Sequence, residues 1–156
     1  MVDFISKTKL PIYIVHAFTD EAFRGNPAAV CPVPKNVELS VSQMQRLAAE
    51  INLSETAYIQ FSQQDKQPTF ETSDRFSLRW FTPTIEVPLC GHATLASAAI
   101  LFNMYENKSP EITFDSKSGP LIVSQEDDEI SLDFPLNPTQ KQVQLILQKP
   151  LGQIYS

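Results

Sequence analysis

The chain has 156 residues, a hydrophobic fraction of 42%, a charged fraction of 19% and a formal charge of −6. This length and composition are typical of one globular domain with its own core and not of a disordered chain. Its Lys and Arg residues are scattered and its charge is acidic, so we expect no nucleic-acid partner.

The chain also lacks the patterns of membrane and secreted proteins. The longest apolar stretch, residues 93–102, is about half of the roughly 20 residues that a bilayer span needs. Residues 1–10 have no continuous apolar core of the secretory kind. Cys31 and Cys90 are too few for a disulfide framework, and no histidine stands at ligand spacing from either. We therefore predict a cytoplasmic protein without a membrane span or a structural metal.

Two strands and a turn are predicted first. Residues 10–18 are rich in β-branched and aromatic side chains, and residues 28–33 form a short apolar run, so both predict strands. Between them, residues 24–27 (Arg-Gly-Asn-Pro) are a dense turn signal, in which Gly25 permits a positive φ.

A capped helix follows. Ser40 and Gln43 have the spacing of a capping box, and the apolar residues after them fall on one face of a helix that Asn52 is expected to stop. Residues 53–61 and 76–81 then predict two further strands, joined by a polar loop.

A second helix is predicted over residues 91–104. Apolar side chains surround nearly its whole circumference, so it must be buried on all sides, most simply inside a curved sheet. Alternating patterns at 111–115, 121–123 and 130–134 predict strands that follow it. Residues 143–147 begin another apolar element after a linker.

Three clusters could carry chemistry, and each also has a purely structural interpretation. Asn26 belongs to the cluster at 25–30, whose structural interpretation is a tight turn between two strands. Glu55, next to Ser54 at a helix-to-strand junction, is a candidate general acid or base or else a solvated carboxylate. Residues 90–94 (Cys-Gly-His-Ala-Thr) begin the buried helix, whose first N–H groups suit an anion, or else they are packing residues.

Four segments of the sequence together resemble one known family, the phenazine-biosynthesis (PhzF)-like isomerases, which are related in fold to diaminopimelate epimerase. The resemblance covers most of residues 10–136. The segments are AFTDEAFRGNPAAVC (17–31), INLSETAYI (51–59), LRWFTPTIEVPLCGHATLASAAILF (78–102) and ISLDFPL (130–136).

The resemblance implies an α+β (α/β) fold in which a mainly antiparallel, barrel-like sheet wraps around the helix at 91–104. It implies an N-terminal domain over residues 1–136. Residues 137–156 would be a linker and the truncated start of a second, similar domain. The family's active site lies in the cleft between its two domains.

Roles for individual residues also come from the resemblance. It implies that Glu55 shuttles a proton between carbons of a small cyclic hydroxy amino acid or related metabolite, with His92 assisting. Gly91 would hold the substrate carboxylate. The remaining substrate-binding residues would be Asn26, Ser54 and Thr94. No metal or organic cofactor is implied.

Three alternatives stay open at this point. Related epimerases use a cysteine as the acid or base at the position of Cys90, so a thiol route is one alternative. Because family members are roughly twice as long, we expect little or no turnover from this chain alone. The second alternative is a homodimer that rebuilds the cleft. A non-catalytic binding or scaffold protein that keeps the fold is the third alternative.

Overall fold

The fold is built on one curled sheet with a helix against each face. A computed structural model describes residues 9–21, 24–62, 67–127 and 129–134. The strands are β1 Tyr13–Ala17, β2 Asn26–Pro32, β3 Thr56–Phe61, β4 Arg75–Phe81, β5 Glu86–Val87, β6 Glu111–Ser116, β7 Gly119–Glu126 and β8 Glu129–Asp133. The helices are α1 Val41–Ile51 and α2 Gly91–Ala99, the latter extended by a π-helical turn, Ile100–Met104.

The sheet has the strand order β1-β2-β3-β4-β6-β7-β8, with β5 paired to β4 off this path. The β2–β3 and β4–β6 pairs are parallel, and the other pairs are antiparallel. The predicted α+β class with a mainly antiparallel, curled sheet is therefore confirmed. Each parallel pair has a helix in its connection, because a parallel crossover must return the chain to the same end of the sheet.

Strand β3 shows why the sheet has a helix on both faces. Ala57 and Ile59 belong to the larger core, which also contains the apolar residues of α2. Tyr58 lies between them in sequence and belongs to a smaller core with α1. Successive strand side chains point to opposite faces, so a strand buried on both sides is apolar at nearly every position. The Tyr58 hydroxyl donates to the Met44 carbonyl at 2.7 Å and joins the sheet to α1.

Helix α1 begins and ends as its sequence predicts. The Ser40 hydroxyl accepts from the Gln43 N–H at 3.2 Å, and the Ser40 N–H donates to the Gln43 side chain at 2.8 Å. This is the predicted capping box. Asn52 ends the helix with φ 56°, the left-handed conformation that Asn adopts more readily than most residues.

Helix α2 lies in the concave side of the sheet, against β1, β2, β3 and β8. Because β1 and β8 are the two ends of the strand order, the sheet curls around this helix, as the sequence predicts. The buried hydroxyls of Thr94 and Ser97 donate to the carbonyls of Cys90 and Ala93 four residues earlier, so neither is left without a partner. Within the described residues, no helix is long and apolar enough to cross a membrane.

Some sequence-based boundaries differ from the structure. The final turn of the helix predicted over 91–104 is π-helical from Ile100, not α-helical. The predicted burial on all sides is wrong for this last turn, where Asn103 and Met104 are exposed. Strand β2 begins at Asn26 instead of 28, because Asn26 and Pro27 already pair with Ala17 and His16. The two-residue strand β5 was not predicted. The predicted linker and second-domain segment, 137–156, lies outside the described residues.

Candidate active site

Glu55 lies in the short connection from α1 to β3, and that connection is attached to β2 at two points. The Ser54 hydroxyl donates to the Pro27 carbonyl at 3.2 Å. The Ala29 N–H donates to the Glu55 carbonyl at 3.0 Å. These bonds fix the backbone of Glu55 at the edge where β2 and β3 run in parallel, so its side chain projects from a well-defined position.

Cys90 and His92 lie at the N-terminus of α2. Cys90 is the N-cap residue and has an extended backbone, φ −151° and ψ 112°. Its sulfur lies 3.4 Å from His92 Nδ1, within hydrogen-bond distance. The imidazole is therefore held on one side by the N-cap residue, Cys90.

The other side of the His92 ring faces Glu55. His92 Nε2 lies 3.3 Å from Glu55 Oε2, and the two side chains are only 10% and 19% exposed. Although this is ion-pair distance, the angles are not those of a hydrogen bond, and both atoms are buried without a hydrogen-bond partner. Each therefore retains the capacity to bind a proton or a ligand group.

Two of the buried polar atoms without partners face each other at this place. In the described part of the chain, four side-chain atoms are of this kind, and they belong to Glu55, Thr56, His92 and Trp80. Nearly all buried polar groups in folded proteins are satisfied, so the facing Glu55 Oε2 and His92 Nε2 indicate a site that is completed by a ligand.

The thiol of Cys90 is not activated in this environment. Burial, with the nearby Glu55 carboxylate as a smaller cause, raises its pKa from an ordinary 9.0 to about 11. The N–H groups of Ala93 and His92 act in the opposite direction but do not overcome the burial. The thiol is therefore protonated at neutral pH, although thiolates at helix N-termini are often stabilised.

Gly91, the first residue of α2, is covered by an aromatic ring. A Cβ atom at this position would lie 3.2 Å from Cε2 of Phe134, the residue that follows β8. Phe134 is 45% exposed, so its ring forms part of the surface beside the Cys90–His92 turn. The absence of a side chain at Gly91 allows this close contact.

The sequence profile of the family described as phenazine biosynthesis-like protein (PhzC-PhzF) matches residues 15–150. The chain belongs to this family. The solved structures that resemble it include a PhzF-family protein of Enterococcus faecalis. That structure is 40% identical with a TM-score of 0.70, and the match covers 87% of this chain and 50% of that one.

Curated relatives include phenazine biosynthesis-like domain-containing protein 1 of Mus musculus. It is 54% identical over 133 residues, which are 84% of this chain and 44% of the mouse protein. A relative from Halalkalibacterium halodurans, 50% identical over 80% of this chain and 43% of its own length, is named an uncharacterized isomerase. The chain spans less than half of the length of these two PhzF-like relatives.

The structure brings together some of the residues that the PhzF-like resemblance singled out. Glu55, Cys90 and His92 form one cluster. Ser54 lies beside it and binds the Pro27 carbonyl, next to the exposed Asn26 at the start of β2. Thr94 is fully buried, and its hydroxyl is committed as a donor to the Cys90 carbonyl within the first turn of α2.

One residue beside this candidate site, Phe134, was not singled out from the sequence. It was interpreted only as part of an alternating strand. The segment ISLDFPL, which contains Phe134, was already among those that carry the resemblance, so it held a signal. No local pattern shows that the end of β8 reaches the N-terminus of α2.

Proposed function

We propose that this chain is the N-terminal half of an isomerase, in which Glu55 takes a proton from one carbon of a small substrate and returns it to another. The observation that carries the proposal is the buried Glu55 Oε2, which faces His92 Nε2 at 3.3 Å without a hydrogen bond. A partly buried carboxylate with an uncommitted oxygen is suited to proton transfer, because no existing hydrogen bond must break first.

His92 and the first turn of α2 supply the binding contacts in this proposal. The His92 imidazole, held by Cys90 and facing Glu55, is placed to donate a hydrogen bond to the substrate or to assist the transfer. The Gly91 N–H lies at the positive end of the helix, where a substrate carboxylate is stabilised. Asn26 and Ser54 contribute contacts from the β2 side, and Thr94 supports the turn.

The proposed reaction is balanced within the substrate. The Glu55 carboxylate accepts a proton from carbon, the double bond shifts, and the carboxylic acid so formed returns the proton to a second carbon. Substrate and product have the same composition and oxidation level, so the chemistry needs no co-reactant. The resemblance favours a small cyclic hydroxy amino acid or a related carboxylate as the substrate.

Glu55 is a better base here than Cys90. Since burial raises the pKa of the Cys90 thiol to about 11, little thiolate is present at neutral pH. The thiol route of related epimerases also uses a second acid–base group on the opposite face of the substrate, and we assign none. We therefore propose the carboxylate route.

Proton removal and complete isomerisation make different demands on the protein. Removal needs only Glu55 and a bound substrate, whereas turnover needs a cleft that holds both faces of the substrate and excludes water. Misplacing a substrate costs on the order of 10²-fold in rate. We expect this chain alone to exchange substrate protons slowly and to have little or no turnover.

The test is deuterium exchange. The purified chain is incubated in D₂O with a panel of small cyclic hydroxy amino acids, and loss of carbon-bound protons is followed by NMR. We expect slow exchange on one member of the panel, and a decrease of about 10²-fold or more in Glu55→Gln. Glu50→Gln, an exposed carboxylate on α1, is the matched control and should exchange at the wild-type rate.

Exchange that is unchanged in Glu55→Gln would overturn the proposal. Binding of a panel member without any exchange would favour the scaffold alternative instead. Light scattering coupled to size exclusion is run on the same sample, because a homodimer could rebuild a closed cleft. In that case, turnover should appear together with exchange.

A further inference from the structure

Glu55, Cys90 and His92 also form a set of metal-ligand atoms. One ligand atom from each residue lies within 4.8 Å of the other two. The His92 side chain is nine-tenths buried, and its Nε2 and the facing Glu55 Oε2 both lack a hydrogen-bond partner. A cation between these side chains would give both atoms the partner that they lack.

We propose that these three residues bind one zinc-class divalent cation, and that the bound cation blocks proton transfer at the same place. Thiolate, imidazole and carboxylate are the ligand types that Zn²⁺ uses, and three protein ligands leave one position for water. Mg²⁺ and Ca²⁺ prefer oxygen ligands throughout, so this set selects against them. The blocking effect rests on the proposed function, whereas metal binding does not.

The geometry is close to that of a zinc site. With bonds of about 2.0–2.3 Å, ligand atoms around a tetrahedral ion lie about 3.3–3.8 Å apart. The His92 Nε2–Glu55 Oε2 separation is already 3.3 Å, whereas Cys90 Sγ lies 3.4 Å from the other ring nitrogen, Nδ1. The ion binds one ring nitrogen only, so one of the two partners of His92 must approach it. Because one ligand atom from each residue lies within 4.8 Å of the others, rotation of the Cys90 or Glu55 side chain supplies the remaining movement of about 1 Å.

The charges of the three ligands also balance the charge of the ion. Metal binding replaces the thiol proton of Cys90, which leaves to solvent, so the site contributes one thiolate and one carboxylate. Together with Zn²⁺ they form a neutral assembly, which suits a site that is largely shielded from water. The ion then occupies the Glu55 oxygen that would accept the substrate proton.

Cobalt is the direct probe, because a Co²⁺–thiolate bond produces a charge-transfer absorption in the near ultraviolet. We expect one Co²⁺ per chain with this band, displaced by Zn²⁺ but not by Mg²⁺. Cys90→Ser should abolish the band, and Glu55→Gln and His92→Gln should each weaken binding about tenfold or more. The control is His16→Gln, because His16 lies outside the cluster and its Nδ1 lies at hydrogen-bond distance, 2.8 Å, from the Arg24 carbonyl.

Circular dichroism and thermal melting of each variant show that a lost band is not a lost fold. Absence of the band in the wild-type chain, or its persistence in Cys90→Ser, would overturn the metal site. Stoichiometric Zn²⁺ should stop the deuterium exchange described above, whereas Mg²⁺ should not. Exchange that continues with Zn²⁺ bound would overturn the blocking effect. Metal binding without any deuterium exchange on the substrate panel would refute the isomerase proposal but not the metal site.

Discussion

The ring of Phe134 lies directly over Gly91. A methyl group on Gly91 would approach Cε2, Cζ and Cδ2 of that ring to 3.2, 3.8 and 3.9 Å. The nearest of these distances is tighter than ordinary van der Waals contact, so the ring must move to accept a side chain. The end of β8 and the beginning of α2 are therefore in direct contact at this position.

A double-mutant cycle tests this contact. We expect the change in free energy of unfolding on Gly91→Ala to be less favourable by about 1 kcal/mol in the wild-type background than in the Phe134→Ala background, because only the wild type has a ring that the added methyl group must displace. In the Phe134→Ala background the same change should be neutral or slightly stabilising, because alanine favours helix over glycine. Urea unfolding of the four proteins gives the coupling energy. Strictly additive effects would show that the two residues do not interact.

Asn107 is predicted to be a strong determinant of stability. Its side-chain N–H groups donate to the Phe70 and Ser73 carbonyls at 2.7 and 2.8 Å, and its oxygen accepts from the Ser109 N–H at 2.9 Å. Asn107→Ala leaves these groups without their partner and should cost about 2–4 kcal/mol in urea unfolding. The exposed Asn103→Ala is the control. A loss of less than about 1 kcal/mol at Asn107 would contradict this role.

Glu86 should make stability depend on pH in the acid range. The Arg79 guanidinium donates two hydrogen bonds to Glu86 at 2.8 Å and, with help from Lys117, lowers the pKa of that carboxyl. A lowered pKa contributes stability that is complete above the ordinary value of 4.5 and is lost as the pH falls through the folded-state pKa. Glu86→Gln should therefore cost about 1–3 kcal/mol at neutral pH.

The difference in free energy of unfolding between wild type and Glu86→Gln should become smaller as the pH decreases below 4.5. Chemical unfolding at several pH values measures this difference. The matched control is Glu106→Gln, because Glu106 and its partner Lys108 are largely exposed and solvent screens such a pair. A difference in free energy of unfolding that stays constant at pH values well below 4.5 would contradict the role of the Arg79–Glu86 pair.

Both cysteines should react slowly in the folded chain. Burial raises the pKa of Cys31 to about 12 and that of Cys90 to about 11. At neutral pH the thiolate fraction of Cys90 is then about 10²-fold below that of an ordinary thiol, and its alkylation by iodoacetamide should slow accordingly. Cys31, which is fully buried, should react more slowly still.

Mass spectrometry after timed alkylation measures the two thiols separately, and the same reaction in denaturant gives the reference rate. Alkylation of native Cys90 at the denatured rate would show an activated thiol. That result would also reopen the thiol route for the proposed reaction.

Local features of the fold were predictable because short-range interactions determine them. The capping box at Ser40, the left-handed stop at Asn52 and the positive φ of Gly25, which is 77°, all depend on neighbouring residues. Strand β5 was missed because two residues carry no periodic signal. The π-helical turn after Ala99 was missed because its apolar residues fit an ordinary helix equally well.

The sequence alone was sufficient for the two helices, the alternating strands and the recognition that the helix beginning at Gly91 lies inside a curved sheet, although its exposed end at Met104 was not foreseen. Spacing along the chain could not show that Glu55 meets Cys90 and His92, which are more than thirty positions away. Only the tertiary structure decided this, because the parallel pairing of β2 with β3 and the packing of α2 against both bring the start of β3 to the first turn of the helix. The contact of Phe134 with Gly91 was decided in the same way, since it depends on how far the sheet curls.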